Sequence, residues 1–259
     1  MLISDPYRRY QVYEPRLYRH KFNRDRFLLF SVNVEESDLL IGVTPSSFSP
    51  EMLRFCEEYL RLLRSELITV IQEYPNFLAN LTPGEFLNVQ SELASEMIAA
   101  SERCGVGPMA AVAGAIAQSL GRQIIRYFSP EELFLENGGD IFLTAKEDIT
   151  VTVGAGESLL SAKLGFRIDA DSTPLGICSS SGRIGPSLSF GQSDATTVIC
   201  KNAAYADAWA TALGNLIGCE EDIEQVLEMS KLKPEIEAAL IILGDKIGLV
   251  GKYPLGLVK

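Results

Sequence analysis

Residues 203–212 read Ala-Ala-Tyr-Ala-Asp-Ala-Trp-Ala-Thr-Ala, and six alanines leave this run almost no side-chain bulk. Alanine is the best helix former, so the run predicts a helix. A helix this thin packs closely on other backbone. Asp207 and Thr211 are four residues apart and therefore share one face, one turn apart. A carboxylate and a hydroxyl so placed form a partial oxygen shell for Mg²⁺, an ion that keeps waters and shares its site with phosphate. The alternative is a Thr211 hydroxyl bonded back into its own helix and a solvated Asp207. Close packing would bury Asp207, and a buried carboxylate is costly unless it is paired or metal-bound.

The run that precedes this helix is crowded with Ser and Gly. Ser180, Ser181 and Gly182 offer hydroxyls and unobstructed backbone N–H groups, a chemistry suited to phosphate. Ser187 and Ser189 alternate around Leu188, so both would face one side of a strand. A polar surface loop is the competing reading of the whole stretch. Cys178 stands at its start. Beside Ser/Gly donors its thiolate could be stabilised and accept persulfide sulfur. A buried, inert thiol is the alternative.

Upstream, two β-rich runs at 27–34 and 39–43 flank Glu35–Asp38 and predict a hairpin. Ser49-Pro50 starts a helix as N-cap and N1, and Leu53, Cys56, Leu60, Leu63, Leu67 and Val70 recur at helical spacing up to Pro75. A second helix is expected at about 92–104. Gly105-Val106-Gly107-Pro108 interrupts it, and a third, small-residue helix runs from Pro108 to about Gly121. Gly105 and Gly107 before a helix N-terminus could expose N–H groups to a phosphate, or form a tight corner only. Glu136-Asn137-Gly138-Gly139-Asp140 lies between two apolar strands. It reads as a bent crossing where backbone meets ligand, or as an ordinary hairpin turn. Strands are expected at 149–153, 164–168 and 196–200, a helix within 220–229, and a closing hairpin around Gly244-Asp245. There is no βαβ alternation, so the fold class is α+β with a largely antiparallel sheet.

The chain's net charge of −11 disfavours nucleic acid. The charge is uneven, because residues 1–26 hold seven Arg/Lys against three Asp/Glu, with Tyr7, Tyr10, Tyr13 and Tyr18 among them. They are read as a basic aromatic arm preceding one α+β domain at 27–259. The arm would dock on the chain's own acidic body or on a second subunit, which leaves a homodimer open. The one histidine, His20, lies in the arm, so a Ser-His-Asp triad is not expected. The apolar run at 109–117 is too short to span a bilayer, and no secretory leader is legible at the N-terminus. Five cysteines without C-x-x-C spacing point away from disulfides and structural zinc, and toward a reducing cytoplasm.

Four stretches taken together, GVGPMAAVAGAIAQ, ENGGDIFL, GICSSSGRIGPSLSFG and YADAWATALGN, resemble an uncharacterised bacterial and archaeal family related to ApbE. The ApbE proteins are Mg²⁺-dependent flavin transferases that cleave FAD and attach FMN to a Ser or Thr. The resemblance implies a T-fold-like antiparallel sheet with helices on one face. It also implies Mg²⁺ at Asp207 and Thr211, and FAD or another phosphorylated ligand near Ser180, Ser181, Gly182, Gly138 and Gly139. Two departures stand out. Gly185–Gly191 lacks the His-x-x-Asp-Pro stretch of ApbE proteins, and Pro108–Ala111 lacks their flavin-binding Asp. The resemblance also implies a second reading, a sulfur-trafficking protein using Cys178, and a third, a relative that binds ligand without catalysis.

Overall fold

The computed structural model describes residues 25–156, 158, 160–182 and 191–258. Ser187, Ser189 and nearly all of the basic arm lie outside these residues.

The chain opens with the expected hairpin, β1 (Leu28–Val34) and β2 (Ser37–Val43), paired antiparallel. The turn is tighter than expected, since Val34 already pairs with Ser37 and Glu35 adopts a φ of 52°. Helix α1 (Pro50–Glu73) is capped by Ser49, whose side chain accepts from the Met52 N–H. Its buried face is Met52, Cys56, Leu60, Leu63, Leu67 and Val70. A short helix, α2 (Asn76–Ala79), leads to α3 (Glu92–Cys104), which Gly105 closes in the left-handed conformation that its missing side chain permits. The third predicted helix begins differently. Pro108–Ala111 is a 3₁₀ turn, and the α-helix α4 runs Val112–Phe128, beyond the expected end at Gly121. Gly121 interrupts nothing there because it is buried against Phe142.

The segment around Gly138-Gly139 is a two-residue hairpin turn joining β3 (Leu133–Asn137) to β4 (Asp140–Thr144), with Asn137 opposite Asp140. Both glycines have positive φ, which explains the pair without a bend or bulge. Strands β5 (Ile149–Thr152) and β6 (Leu164–Ile168) follow, then β7 (Leu175–Ser180), β8 (Ala195–Cys200) and helix α5 (Ala203–Gly214). Helix α6 (Asp222–Lys231) precedes the closing hairpin, β9 (Ile236–Leu243) with β10 (Lys246–Gly251), and β11 (Leu255–Leu257) ends the described chain.

Eight strands form one antiparallel sheet in the order β1-β2-β3-β4-β7-β8-β9-β10. The α+β expectation is correct. Alternation along each strand divides the sheet's side chains between two cores. Leu39, Ile41, Leu135, Phe142, Cys178, Val198 and Ile241 face a layer of helices. Leu40, Phe134, Ile177, Ile199, Leu240 and Ile242 face the other way, where a small sheet of β11, β6 and β5 covers them with Leu164, Phe166 and Ile168. The central strands are therefore apolar on both faces, and every residue of β8 is buried.

Candidate functional site

The thin helix α5 packs closely on other backbone, as its composition predicts. It rests on β7 and β8, and a side chain on Gly176 would collide with the main chain of Ala203. From the other side, a side chain on Gly114 of α4 would collide with the Ala203 carbonyl and lie 2.9 Å from Cβ of Asp207. The start of α5 is locked by polar groups. Asn202 caps it by accepting from the Tyr205 N–H at 3.1 Å, and the Ala203 N–H donates to Gln118 Oε1 at 2.8 Å. Glu96 Oε1 in turn accepts from Gln118 Nε2 at 2.7 Å and from Asn202 Nδ2 at 2.6 Å. Gln118 was not anticipated as a positioning residue. The available signal was a fully buried-looking helix, MAAVAGAIAQSLG, with one amide near its end.

This packing brings Asp207 to the N-terminus of α4, which has no side-chain cap of its own. Asp207 Oδ2 accepts from the Gly114 N–H at 2.9 Å, and the Ala113 N–H also binds the carboxylate. Burial nevertheless raises the Asp207 pKa to about 7, with the two N–H groups opposing. Asp140 faces the same side of the sheet and is buried too. Its carboxyl is pushed well above the usual carboxylate range, first by burial and then by the Asp207 charge, while the Ser179 N–H, at 3.2 Å, pulls it down. Asn137, opposite Asp140 in the hairpin, donates from Nδ2 to the Ala113 carbonyl at 3.2 Å. The hairpin and the start of α4 are thereby tied together.

Thr211 follows one turn along α5, half-buried, where its carbonyl accepts from the Asn215 N–H at 3.0 Å. Ser180 lies on the helix-facing side of β7 and is buried, with Ser181 and Gly182 following. The Gly182 N–H donates to the Ser193 carbonyl at 3.0 Å. Gly182 packs on the Gly191 carbonyl and Gly191 on the Gly214 carbonyl, so three glycines bring this segment to the end of α5. Strand pairing and the packing of α5 thus bring Asp207, Asn137 and Asp140 into one region at the start of α4, while Gly182 lies toward the far end of α5.

Other expected residues stand apart from it. Alternation turns Glu136 away, and its Oε1 accepts from the Gly139 N–H at 2.7 Å within the hairpin. The Gly105 N–H is bonded to the Ser101 carbonyl, and Gly107 is pressed against the Asn80 main chain. The free N–H groups of the third helix are bound by Asp207, so this terminus is satisfied by the chain itself. Cys178 is fully buried and its thiol donates to the Ala203 carbonyl at 3.4 Å. Burial, then the charges of Asp140 and Asp207, hold that thiol well above its ordinary pKa. A nucleophilic thiolate is disfavoured there, against the sulfur-trafficking expectation. Among the described residues, no group of three or more His, Cys, Asp or Glu forms a metal cage, and no single helix is long and apolar enough to cross a membrane.

The sequence and fold match known proteins. A family model described as "AbpE bacteria" matches residues 19–243. A UPF0280 protein of Methanocaldococcus jannaschii is 35% identical over 226 residues, covering 85% of this chain and 89% of its own. One from Methanobrevibacter smithii is 39% identical over 203 residues, covering 76% and 85%. The crystal structure of the ApbE protein from Thermotoga maritima superposes with a TM-score of 0.51 at 12% identity, covering 86% of this chain and 96% of that one, which shows a shared fold. With the family model spanning most of its length and UPF0280 proteins among its relatives, the chain belongs to the AbpE bacteria family, an ApbE-related family that includes proteins of uncharacterised role.

Proposed function

We propose that this protein binds a phosphorylated ligand, FAD or another nucleotide, together with Mg²⁺ at Asp207 and Thr211, and acts as a flavin-transferase-like or pyrophosphate-cleaving enzyme. One observation carries the reading. Asp207 is a buried carboxylate beside a second buried carboxylate, Asp140, and only backbone N–H groups oppose the burial of Asp207. Two adjacent buried acids are expensive for a fold to keep without a cation. The donor set fits Mg²⁺ in particular, because one carboxylate and one hydroxyl leave positions for water and phosphate oxygens.

In this reading the Asp207 carboxylate and the Thr211 hydroxyl hold the ion, which would polarise a phosphoryl oxygen and neutralise charge developing on it. Ser180, Ser181 and Gly182 orient the phosphates with hydroxyl and N–H donors. Asn137, through its bond to the Ala113 carbonyl, fixes the start of α4 against the Gly138-Gly139 turn. The resemblance of residues 206–212 to the metal-holding helix of ApbE proteins supports FAD as the first ligand to try.

The test is calorimetric titration of FAD into the protein, with Mg²⁺ or with EDTA, on wild type and Asp207→Ala. Binding that needs both Mg²⁺ and Asp207 is expected, followed by release of FMN or AMP on longer incubation. Equal affinity in EDTA, or in Asp207→Ala, would sink the metal assignment. Binding without any product would identify a non-catalytic relative.

A further inference from the structure

Strand β10 ends the eight-stranded sheet, and among the described residues no strand pairs with its outer edge. Such an edge exposes main-chain groups, and proteins usually cover it or blunt it with charge. The register shows which groups these are. Ile247 pairs with Ile242, whose carbonyl accepts from the Asp194 N–H on the β8 side. Ile242 therefore turns its main chain away from β10, and Ile247 turns its own away from β9. Alternation places Leu249 the same way. The N–H and C=O groups of Ile247 and Leu249 thus point out of the sheet, and the two residues are 42% and 38% exposed.

Helix α6 lies beside this edge. Gly248 faces it, since a side chain there would meet Ile223 and Leu227. Lys246 sits 3.8 Å from Glu220, just before α6, so strand and helix run side by side in one direction. A groove of about 550 Å³ lies between them, and Glu220, Glu221, Glu224 and Glu228 line it against two lysines, Lys231 and Lys246. Both lysines are engaged, Lys231 with Glu228 and Lys246 with Glu220 and Asp245. Glu224, beside Gly248, has no ion-pair partner among the described residues.

Two periods coincide here. Glu224 and Glu228 are four residues apart on α6, a rise of about 6 Å. Successive side chains on one face of a strand are about 6.7 Å apart. A strand added along β10 therefore presents its residues opposite Gly248 and Val250 to Glu224 and Glu228. Its residues opposite Ile247 and Leu249 face the other way, onto those two exposed apolar side chains. The place opposite Lys246 suits a neutral residue. The surface thus specifies alternating basic and apolar residues. A second copy's β10 is a poor match, because its own α6 would bring the same glutamates against these.

We propose that the α6–β10 groove is a docking site for another protein, which adds an extended segment of alternating basic and apolar residues along β10. Main-chain bonds to Ile247 and Leu249 give the affinity, and Glu224 with Glu228 selects the basic side chains.

The test is fluorescence anisotropy of the labelled, end-blocked peptide Thr-Lys-Val-Lys-Val-Thr, with amide hydrogen exchange of β10 measured alongside. The control, Thr-Lys-Lys-Val-Val-Thr, keeps composition and charge and loses the alternation. The alternating peptide should bind roughly tenfold more tightly than the control and slow exchange at Ile247 and Leu249, with β2 amides unchanged. Glu224→Lys should weaken that binding by roughly tenfold, and Thr-Lys-Val-Glu-Val-Thr should bind this variant more tightly than it binds wild type. Equal binding of the two lysine peptides, or exchange at Ile247 and Leu249 that neither peptide slows, would overturn the proposal. So would protection of these two amides in the free protein, since the edge would then be covered by this chain itself or by a second copy.

Discussion

The Asp207 carboxylate closes the N-terminus of a helix other than its own, accepting from the Gly114 N–H at 2.9 Å. This cap and the raised pKa make opposite demands on Asp207, since the N–H groups favour the anion and burial favours the acid. The folded-state pKa of about 7 lies above the ordinary 3.8, so the folded state holds its proton longer than the unfolded chain. Stability contributed by this group is therefore complete at acid pH and falls as pH rises from about 4 to about 7. Asp207→Asn keeps an acceptor and cannot ionise, so its melting temperature should lose that decline. Asp207→Ala should cost about 1–2 kcal/mol as a lost cap. Melting curves between pH 4 and 8 in EDTA check both, and parallel pH slopes for wild type and Asp207→Asn would refute the assignment.

Gly114→Ala should be among the most damaging single-methyl insertions in the chain. The new group meets the Ala203 carbonyl and Asp207 together, and both neighbours belong to a helix pinned on the sheet. An overpacking cost of about 2–3 kcal/mol is expected. Denaturant unfolding measures it, with Gly256→Ala as an unhindered control.

Arg26 and Glu132 form a two-point ion pair, at 2.8 and 2.5 Å, and Glu132 also accepts from the Lys146 and Glu147 N–H groups. The Arg26 bond is the chief reason that the Glu132 pKa is held down to about 2, from 4.5. Its stabilisation is present above pH 4.5 and is lost as pH falls toward 2. Arg26→Met should cost roughly 2–3 kcal/mol at neutral pH, short of the range for a fully buried pair. The difference from wild type should shrink in the acid window, and a constant difference from pH 7 to pH 2.5 would show that the pair is not its source.

Thiol chemistry should divide the cysteines by burial. Cys219 is exposed, whereas Cys178 is buried and its thiol is bonded to the Ala203 carbonyl. Mass spectrometry after brief alkylation of the native protein should find Cys219 labelled and Cys178 intact, with Cys178 reacting only in denaturant. Comparable native labelling of the two would revive a role for Cys178 in sulfur transfer.

Helices α1 and α3 were legible because their signals are local. Ser49-Pro50 marked the start of α1, and the 92–104 pattern matched α3 at both ends. Strand β7 was not read as a strand, because Gly176 and Ser179-Ser180 are poor strand formers. Gly176 is there for a tertiary reason, the approach of Ala203, which no local pattern encodes. The same limit applied at Gly105 and Gly107. Their glycines suggested a ligand, and the structure uses them for a helix end and for contact with Asn80. The i, i+4 spacing of Asp207 and Thr211 was legible, but the second carboxylate, Asp140, became a neighbour only through strand pairing and the packing of α5.

Because α5 rests on Gly176 main chain to main chain, its height above the sheet is fixed by bond lengths and van der Waals radii. No rotamer can adjust it. The floor therefore acts as a datum surface. At Gly176 there is no side chain to trim, so a substitution there can only lift α5 and never lower it. The same contact sets the level of Asp207, one turn further along α5.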